Sequence, residues 1–233
     1  MRFAVISAGE GSRLAGEGSL LPKPLVRIGG EPMIGRLLGI MSDSGADGIA
    51  VIVSPANTQT LGYLRSVQSD FNLEIVTKAT PSSMHSLYEL RDFLRGGRFC
   101  VTTVDTVFRK EEFHSYLRAF EASDSDGMMG VTDFIDDEKP LYVGVDDDMR
   151  INGFFDTPAG CRYVSGGIYG LSDNALDVLD SCVRSGQTRM RSFQRQLVAD
   201  GLLLRAYRFG KIIDVDHLDD IAKAERLLLG ENV

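Results

Sequence analysis

Apolar residues follow two different spacings in the first half of the chain, and these spacings separate predicted strands from predicted helices. Residues 2–7 are a short β-branched run that ends on small residues, which predicts a buried strand followed by a loop. A helical spacing follows, at Met33, Ile34, Leu37, Leu38 and Met41. Gly45 then stands where a glycine ends a helix, so the pattern predicts a strand, a loop and a capped helix.

The alternation of strand and helix continues to residue 122. Further strands are predicted at 49–53, 73–77 and 99–104, and further helices at 57–67, 86–94 and 111–122. Strands that alternate with helices in this way predict a parallel sheet with helices on both of its faces. The first half is therefore predicted to be an open α/β structure.

The second half has more strands and shorter connections. Strands are predicted at 128–134, 142–145, 151–155, 164–171 and 202–209, and helices at 174–183, 192–199 and 218–229. The acidic turn Asp146-Asp147-Asp148 joins two of the strands, which indicates a partly antiparallel extension of the sheet. Because no linker rich in Pro, Gly or Ser interrupts the pattern, residues 1–233 are predicted to form one domain.

Composition and charge narrow the classes of function. The hydrophobic fraction of 43% and the charged fraction of 25% are those of a globular protein, and a net charge of −8 argues against nucleic-acid binding. The longest N-terminal apolar run has four residues, too few for a signal peptide or a membrane span. The three cysteines, Cys100, Cys161 and Cys182, suggest neither a disulfide framework nor a zinc site. A cytoplasmic protein is expected.

The loop after the first predicted strand carries the strongest chemical signal. It reads Ala8-Gly9-Glu10-Gly11-Ser12-Arg13-Leu14. Glycines let backbone N–H groups approach a phosphate closely, and the Arg13 guanidinium adds a planar charged donor. The loop has Leu14 where a dinucleotide fingerprint has its third glycine, and it lacks the Gly-Lys-Ser/Thr ending of a Walker loop. It is therefore interpreted as a phosphate-binding loop of another kind.

A lysine follows the loop at ten residues' distance from Arg13. Lys23 lies between Pro22 and Pro24, which hold the backbone extended and keep the lysine out of a helix. Gly-x-Gly-Ser-Arg-Leu and Pro-Lys-Pro together resemble the signature of the sugar-phosphate nucleotidyltransferase family. The resemblance implies the family's Rossmann-like nucleotide-diphospho-sugar transferase fold, and with it the transfer of a nucleoside monophosphate to a sugar 1-phosphate.

The resemblance also implies roles for individual residues along the whole chain. Arg13, Lys23 and Asp105 would be catalytic, and Asp105 would bind Mg²⁺ together with Asp214 or Asp216. The nucleotide would lie against Ala8, Gly9, Gly11, Ser12, Arg13, Ser82 and Ser83. The acceptor would lie near Asp156, Arg162, Gly166 and Gly167. From the residues alone, Asp105 and Asp216 are equally well interpreted as N-caps of the helices that follow them.

Two departures from the family pattern concern the metal and the acceptor. Val104 precedes Asp105 where the family usually has glycine, and Asp156-Thr157-Pro158 stands where many members have Glu-Lys-Pro. Arg162 is then the nearby residue that could replace the missing lysine charge. The acceptor is left open between a sugar 1-phosphate and a phospho-alcohol such as phosphocholine. A non-catalytic relative that binds a nucleotide or sugar nucleotide is a third alternative.

The expected partners are a nucleoside triphosphate and a phosphorylated small molecule, with no nucleic acid and no membrane. Both substrates are anions, so the protein must neutralise charge and align the acceptor oxygen with the α-phosphorus. Mg²⁺ is the expected cofactor because one or two aspartates and triphosphate oxygens satisfy its preference for oxygen ligands. The sequence leaves the base, the acceptor and the oligomeric state open.

Overall fold

The computed structural model describes residues 1–9, 11–136 and 138–231, and their secondary structure alternates as the sequence predicts. The strands are β1 (Arg2–Ser7), β2 (Arg27–Ile28), β3 (Glu31–Pro32), β4 (Gly48–Val53), β5 (Leu73–Thr77), β6 (Phe99–Thr103), β7 (Thr106–Val107), β8 (Gly127–Thr132), β9 (Tyr142–Val145), β10 (Ile151–Phe155), β11 (Tyr163–Leu171), β12 (Leu204–Arg208) and β13 (Ile213–Asp214). The helices are α1 (Ser12–Gly16), α2 (Met33–Asp43), α3 (Thr58–Ser66), α4 (Ser83–Leu94), α5 (Lys110–Ala122), α6 (Asp173–Arg184), α7 (Met190–Ala199) and α8 (Leu218–Leu229).

Nine of the described strands form one mixed sheet. The path runs β10-β9-β11-β6-β1-β4-β5, with β8 on the other side of β11 and β12 beyond β8. The centre of the sheet is parallel, since β1 pairs in parallel with β4 and β6, and β4 with β5. The strand β11 runs antiparallel to both β6 and β8. The predicted fold class, a mostly parallel sheet with an antiparallel extension, is confirmed.

The two faces of β1 each face a different hydrophobic core. Ala4 and Ile6 pack with α4, α6 and α7, whereas Phe3 and Val5 pack with α2, α3 and α5. Successive side chains of a strand point to opposite faces, so an uninterrupted apolar run is the pattern of a strand buried on both sides. This accounts for the continuous apolar sequence of β1 and β4, in which nearly every residue is buried.

A third, smaller core lies at one end of the sheet and fixes the loops that carry charged residues. Leu14 of α1 packs there with Val107 of β7, with Val215, which precedes α8, and with Leu227 of α8. Two short ribbons, β2–β3 and β7–β13, complete it. The core thus connects the glycine-rich loop near residue 11 to the segment around residue 216, which is about 200 residues later in the chain.

Several predicted boundaries are shifted by side-chain caps. The helix predicted at 86–94 begins at Ser83, because the Ser82 side chain accepts a hydrogen bond from the His85 N–H (3.4 Å). The strand predicted at 128–134 ends at Thr132, whose Oγ1 accepts the Phe134 N–H (3.1 Å). The short helix α1 was not predicted, since five residues after a glycine-rich loop show no periodicity.

Candidate active site

A cleft opens at the carboxyl ends of the parallel strands β1, β4, β5 and β6. Its volume is about 580 Å³, and its walls come from the loops that follow these strands. This edge is where open parallel sheets bind their ligands, because several loops and helix starts converge on it. We call it the carboxyl-edge cleft. Ten of the predicted site residues line it: Ala8, Gly9, Gly11, Ser12, Arg13, Lys23, Ser82, Ser83, Asp105 and Asp216.

The glycine-rich loop is pressed against Lys23. Gly11 has a φ of +60°, and a Cβ built on it would lie 2.7 Å from the Cβ of Lys23. A side chain at position 11 would therefore strain the backbone and also collide with the lysine. Gly11 brings the start of the loop and the Pro-Lys-Pro segment into contact, although they are separate motifs in the sequence.

Lys23 lies between two carboxylates. Its Nζ is 2.6 Å from Oδ2 of Asp105 and 2.5 Å from Oδ1 of Asp216, and its side chain is only 10% exposed. Arg13, which is half exposed, forms a further ion pair with Oδ2 of Asp216. Four of the predicted charged residues thus meet in one cluster, although they come from three parts of the chain that are distant in sequence, around residues 13–23, 105 and 216.

Lys23 and Asp105 keep each other charged. Burial alone lowers the pKa of Lys23, but the carboxylates of Asp105 and Asp216 outweigh burial, so the pKa lies above its ordinary value. Burial alone raises the pKa of Asp105, but the Lys23 ammonium and the Thr103 hydroxyl lower it below its ordinary value. Both groups are therefore ionised at neutral pH.

Asp105 is presented by the turn between β6 and β7 and does not cap a helix. Its carbonyl accepts the Val215 N–H (3.0 Å), which ties the turn to the segment that precedes Asp216. The N-cap of α5 is Arg109, so the alternative interpretation of Asp105 as an N-cap is wrong. Val104 is buried in the core on one face of the sheet, which explains why a valine is accommodated before the aspartate.

Asp214 and Asp216 occupy different surroundings. Asp214 pairs with Thr106 across the β13–β7 ribbon, and its Oδ1 accepts a hydrogen bond from the Thr106 hydroxyl (3.3 Å). Asp216 instead reaches Lys23 and Arg13. It is not the N-cap of α8, because His217 has that position. Of the two, Asp216 is the one that lies beside Asp105 at the ammonium of Lys23.

A second cavity adjoins the carboxyl-edge cleft, with Asp216 in the wall of both. It has a volume of about 290 Å³ and is lined in part by β11 and the start of α8. Its charged wall contains six carboxylates, those of Asp136, Glu138, Asp214, Asp216, Asp219 and Asp220. We call it the acidic cavity. Gly166 lines it, and a Cβ at Gly166 would lie 2.2 Å from the Cδ1 of Ile212.

A bulge in β11 contains both glycines of the predicted acceptor motif, Gly166 and Gly167. The register with β8 shifts between Ser165 and Ile168, and Gly167 has a φ of +71°. A Cβ at Gly167 would lie 2.6 Å from the Thr106 Oγ1 and 2.8 Å from the Thr103 Oγ1. Gly167 therefore allows the strand to approach the hydroxyls of Thr103 and Thr106, which flank Asp105 in the sequence. These two hydroxyls are hydrogen bonded to each other (2.6 Å).

A family model described as "Nucleotidyl transferase" matches residues 4–230. The chain belongs to the nucleotidyl transferase family. The resemblance noted in the sequence is thereby confirmed, and it extends over nearly the whole chain.

Two curated relatives of this nucleotidyl transferase are distant in sequence, at less than 30% identity. The CMP-5'-(3-aminopropyl)phosphonate synthase of Streptomyces rubellomurinus is 26% identical over 160 residues, which are 60% of this chain and 25% of that protein. The bifunctional protein GlmU of Chelativorans sp. is 29% identical over 93 residues, which are 40% of this chain and 20% of that protein. The chain thus spans a quarter or less of the length of these curated relatives.

The fold is shared with solved structures of other proteins. The inositol-1-phosphate CTP transferase from T. maritima superposes with a TM-score of 0.81 at 18% identity, covering 98% of each chain. A Bacillus anthracis protein assigned as a glucose-1-phosphate thymidylyltransferase gives 0.84 at 17% identity, covering 100% of this chain and 97% of that one. None of the helices described for this nucleotidyl transferase is long and apolar enough to cross a membrane.

The two charged residues predicted at the acceptor, Asp156 and Arg162, lie outside both cavities of this nucleotidyl transferase. Asp156 is exposed at the end of β10, with its oxygens 2.5 Å from Arg191 Nη1 and 2.8 Å from Arg195 Nη2 of α7. Arg162 pairs with Asp133 at 3.0 Å. Neither residue lines the carboxyl-edge cleft or the acidic cavity. The structure therefore does not bring them to the cluster around Lys23.

Asp220 was missed as a site residue and holds the backbone at Asp216. Its Oδ2 accepts the N–H groups of Asp216 (3.1 Å) and His217 (2.8 Å), and its Oδ1 is 3.0 Å from Lys223 Nζ. The signal in the sequence was the spacing from His217 to Asp220, because an acidic residue three positions after an N-cap closes a capping box.

We expect Asp220→Ala to destabilise the protein and to disturb Asp216. Loss of the cap should lower the free energy of unfolding by about 1–2 kcal/mol, and kcat/KM should fall by about tenfold because Asp216 loses its backbone anchor. Urea unfolding and steady-state kinetics measure the two effects. Asp219→Ala, in the same turn but without such a bond, is the control for stability. An unfolding free energy equal to that of the control would contradict the capping role.

Glu17 connects the end of α1 to the start of α8. Its Oε1 is 2.5 Å from His217 Nδ1, and its Oε2 accepts the Leu218 N–H (2.8 Å). The hydrogen bond that the His217 ring donates to Glu17 raises the pKa of His217 above its ordinary value and lowers the pKa of Glu17. Glu17 thus joins the segment that carries Arg13 to the one that carries Asp216.

The stabilisation from this pair should depend on pH in both directions. The His217 part is complete below its unfolded pKa of about 6.5 and is lost as the pH rises through the folded pKa. The Glu17 part is complete above its unfolded pKa of about 4.3 and is lost as the pH falls through the folded pKa. We expect Glu17→Gln to lower the pKa of His217 toward about 6.5 in an NMR titration of the ring. A ring pKa that is the same in both proteins would contradict this coupling.

Proposed function

We propose that this chain transfers a nucleoside monophosphate from a nucleoside triphosphate to a phosphorylated small molecule, of which a sugar 1-phosphate is the leading candidate, and releases pyrophosphate. The observation that supports the proposal is the convergence of Arg13, Lys23, Asp105 and Asp216 at the carboxyl-edge cleft. Family membership agrees with this reaction. A protein that only bound a nucleotide would have no need of two carboxylates beside the lysine.

The charged residues suit the task of holding two anions together. Arg13 is half exposed beside the glycine-rich loop, so its guanidinium can reach phosphate oxygens of the triphosphate. Lys23 is nearly buried at the point where the cleft and the acidic cavity meet at Asp216, so its ammonium can neutralise the α-phosphate and the incoming phosphate. Alignment of the attacking oxygen and the leaving pyrophosphate follows from binding the substrates in adjoining cavities.

The donor set at Lys23 fits a divalent cation. The carboxylates of Asp105 and Asp216 already converge on one positive charge, at 2.6 Å and 2.5 Å from Lys23 Nζ. Among the residues that the structure describes, no three or more His, Cys, Asp or Glu side chains are arranged so that they could hold a metal ion, so phosphate oxygens would complete such a site. Asp105 and Asp216 would hold Mg²⁺, which when bound would stabilise the charge that develops on the phosphate oxygens. Asp214 lines the acidic cavity, and its Oδ1 accepts a hydrogen bond from the Thr106 hydroxyl.

Pyrophosphate release is the direct test of this function. It should be measured over the four nucleoside triphosphates and a panel of phosphorylated acceptors, with and without Mg²⁺. We expect release with at least one combination, and only in the presence of a divalent cation. Tight binding of a nucleotide without turnover for any acceptor would instead support the alternative of a non-catalytic relative.

A cytidylyltransferase for a phospho-alcohol is the second candidate. The name of the Streptomyces relative describes a CMP-phosphonate product, and the T. maritima structure is described as a CTP transferase. The carboxylates around the acidic cavity also favour an acceptor other than an uncharged sugar. CTP and phosphocholine therefore belong in the same assay.

Asp156 gives an independent check on how the acceptor is held. Because both of its oxygens are engaged by Arg191 and Arg195, a role in acceptor binding would require these ion pairs to open. We expect Asp156→Ala to change kcat/KM for sugar 1-phosphates by less than about threefold, which is the range of an exposed ion pair. A loss of tenfold or more, confined to sugar acceptors and repeated in Asp156→Asn, would place Asp156 at the acceptor.

A further inference from the structure

Two hydroxyl groups connect the walls of the two cavities. Thr103, at the end of β6, lines the carboxyl-edge cleft, and Asp214 lines the acidic cavity. Thr106 of β7 lies between them, because its Oγ1 is 2.6 Å from the Thr103 Oγ1 and donates a hydrogen bond to Oδ1 of Asp214 (3.3 Å). Only 1% of Thr106 is exposed, so groups of the protein must satisfy its hydroxyl.

The Thr103 hydroxyl has a second neighbour in Asp105. The Lys23 ammonium, and with it a hydrogen bond from the Thr103 hydroxyl, lowers the pKa of Asp105 against the effect of burial. Two carboxylates therefore lie at the ends of one chain of oxygen contacts, which runs in the order Asp105, Thr103, Thr106 and Asp214. The chain has three contacts, and its two ends belong to different cavities.

The number of protons in this chain is smaller than the number of contacts. Each threonine hydroxyl has one proton, and an ionised carboxylate has none, so three contacts share two protons. The 2.6 Å contact between the hydroxyls has the length of a hydrogen bond and takes one of them. If Thr106 donates to Asp214, Thr103 donates to Thr106. If Thr103 instead donates to Asp105, Thr106 donates to Thr103, and its bond to Asp214 is lost.

The bulge in β11 forces the two hydroxyls to turn together. A Cβ at Gly167 would lie 2.6 Å from the Thr106 Oγ1 and 2.8 Å from the Thr103 Oγ1, so the backbone covers both oxygens closely. No water molecule fits on that side to supply the missing hydrogen bond. The pair therefore has two arrangements, one directed toward Asp105 and the other toward Asp214.

We propose that the Thr103–Thr106 hydroxyl pair is a positioning element that couples the carboxyl-edge cleft to the acidic cavity. The inference rests on the proposed function, in which Asp105 holds a cation together with the triphosphate. A cation at Asp105 neutralises this carboxylate, which then competes less well for the Thr103 proton. Both hydroxyls turn toward Asp214, and the new hydrogen bond fixes this side chain in the wall of the acidic cavity. Occupation of the cleft thus prepares the adjoining cavity for the acceptor, and the coupling is reciprocal.

The carboxylate of Asp214 reports the direction of the pair without any turnover. Protein labelled with carbon-13 at its aspartate carboxylates is titrated with Mg²⁺ and the α,β-methylene analogues of the four nucleoside triphosphates, and calorimetry identifies the analogue that binds. Asp214→Asn assigns the resonance. We expect saturation with this analogue to shift the Asp214 resonance in the native protein and in Thr106→Ser, but by at most about a third as much in Thr106→Val.

Kinetics of the same variants measure the effect on the acceptor. Thr106→Val and Thr106→Ala both remove the hydroxyl, and alanine does so without crowding Thr103. With glucose 1-phosphate and phosphocholine as the acceptors tried, we expect both variants to raise KM for the acceptor that is turned over by about three- to tenfold at saturating triphosphate. KM for the triphosphate at low acceptor concentration should change by less than about twofold. Thr106→Ser should behave as the native protein.

Thr102→Val is the matched control for removing a threonine hydroxyl from this part of the sheet. Thr102 is fully buried in β6, next to Thr103, and its hydroxyl has no hydrogen-bond partner among the residues that the structure describes. We therefore expect Thr102→Val to leave both the shift of the Asp214 resonance and KM for the acceptor unchanged. Thermal unfolding of each variant shows whether it is folded at the temperature of the assay.

The outcomes separate this inference from the function on which it rests. An Asp214 resonance that saturating analogue leaves unshifted in the native protein would overturn the inference, and so would a shift of equal size in Thr106→Val. An increase in KM that Thr106→Ser or Thr102→Val shares would also overturn it, because packing would then be the cause. In each case pyrophosphate release leaves the proposed function standing. If no analogue binds and no acceptor releases pyrophosphate, both are wrong.

Discussion

Asp105→Asn is expected to reduce kcat by about a hundredfold or more, which corresponds to about 3 kcal/mol of activation free energy. The substitution retains the size of the side chain but removes the charge that faces Lys23 Nζ at 2.6 Å. It therefore removes a charged ligand from the proposed metal site, and Lys23 is left with Asp216 as its carboxylate partner. Steady-state pyrophosphate release over a range of Mg²⁺ concentrations measures the effect.

The controls for Asp105→Asn separate chemistry from folding. Asp147→Asn, in the exposed turn between β9 and β10, removes one carboxylate far from Lys23 and should leave kcat unchanged. Asp216→Asn and Asp214→Asn compare the two candidates for the second ligand, and we expect Asp216→Asn to be the more damaging because Asp216 is the one at Lys23. Unchanged thermal unfolding in each variant shows that the loss is not structural. Full activity in Asp105→Asn would remove Asp105 from the mechanism.

Lys23→Met is expected to lower kcat by about a hundredfold and to raise KM for the triphosphate much less. In the proposed reaction the α-phosphate and the incoming phosphate meet at Lys23, so its charge matters most when the new bond forms. Methionine retains an unbranched stem against Gly11, whereas alanine would also leave a gap there. Arg13→Gln should act differently and raise KM more than it lowers kcat, because Arg13 is expected on the leaving pyrophosphate.

Loss of the ammonium should also change the carboxylates around it. In the native protein the Lys23 ammonium lies between Asp105 and Asp216. In Lys23→Met this cation is absent, so the pKa of Asp105 should rise from its lowered value. The acidic limb of the pH profile of kcat/KM should then shift to higher pH. Lys110→Met, at the exposed start of α5, is the control. A variant of Lys23 that changed only KM would assign the lysine to ground-state binding of the triphosphate.

The periodicity of apolar residues was sufficient to predict the sheet and its helices. A helix that packs on a core needs an apolar residue at each turn, and a strand needs one at every second residue. The boundaries were less well predicted, since a single side chain such as Ser82 or Thr132 decided them through one hydrogen bond. The alternatives for Asp105 and Asp216 could not be resolved from spacing either. An N-cap and a ligand use the same residue type, and only the observed caps, Arg109 and His217, distinguish them.

The sequence by itself determined the fold class, the family and the position of the glycine-rich loop, because these depend on local periodicity and on short motifs. Only the tertiary structure decided that Asp216 meets Lys23, that Asp156 and Arg162 pair with other residues, and that a separate acidic cavity adjoins the cleft. The third hydrophobic core brings Leu14 and Val215 together across about 200 residues of sequence. Charge compensation within such a cluster depends on distances between segments remote in sequence, and no local pattern records these distances.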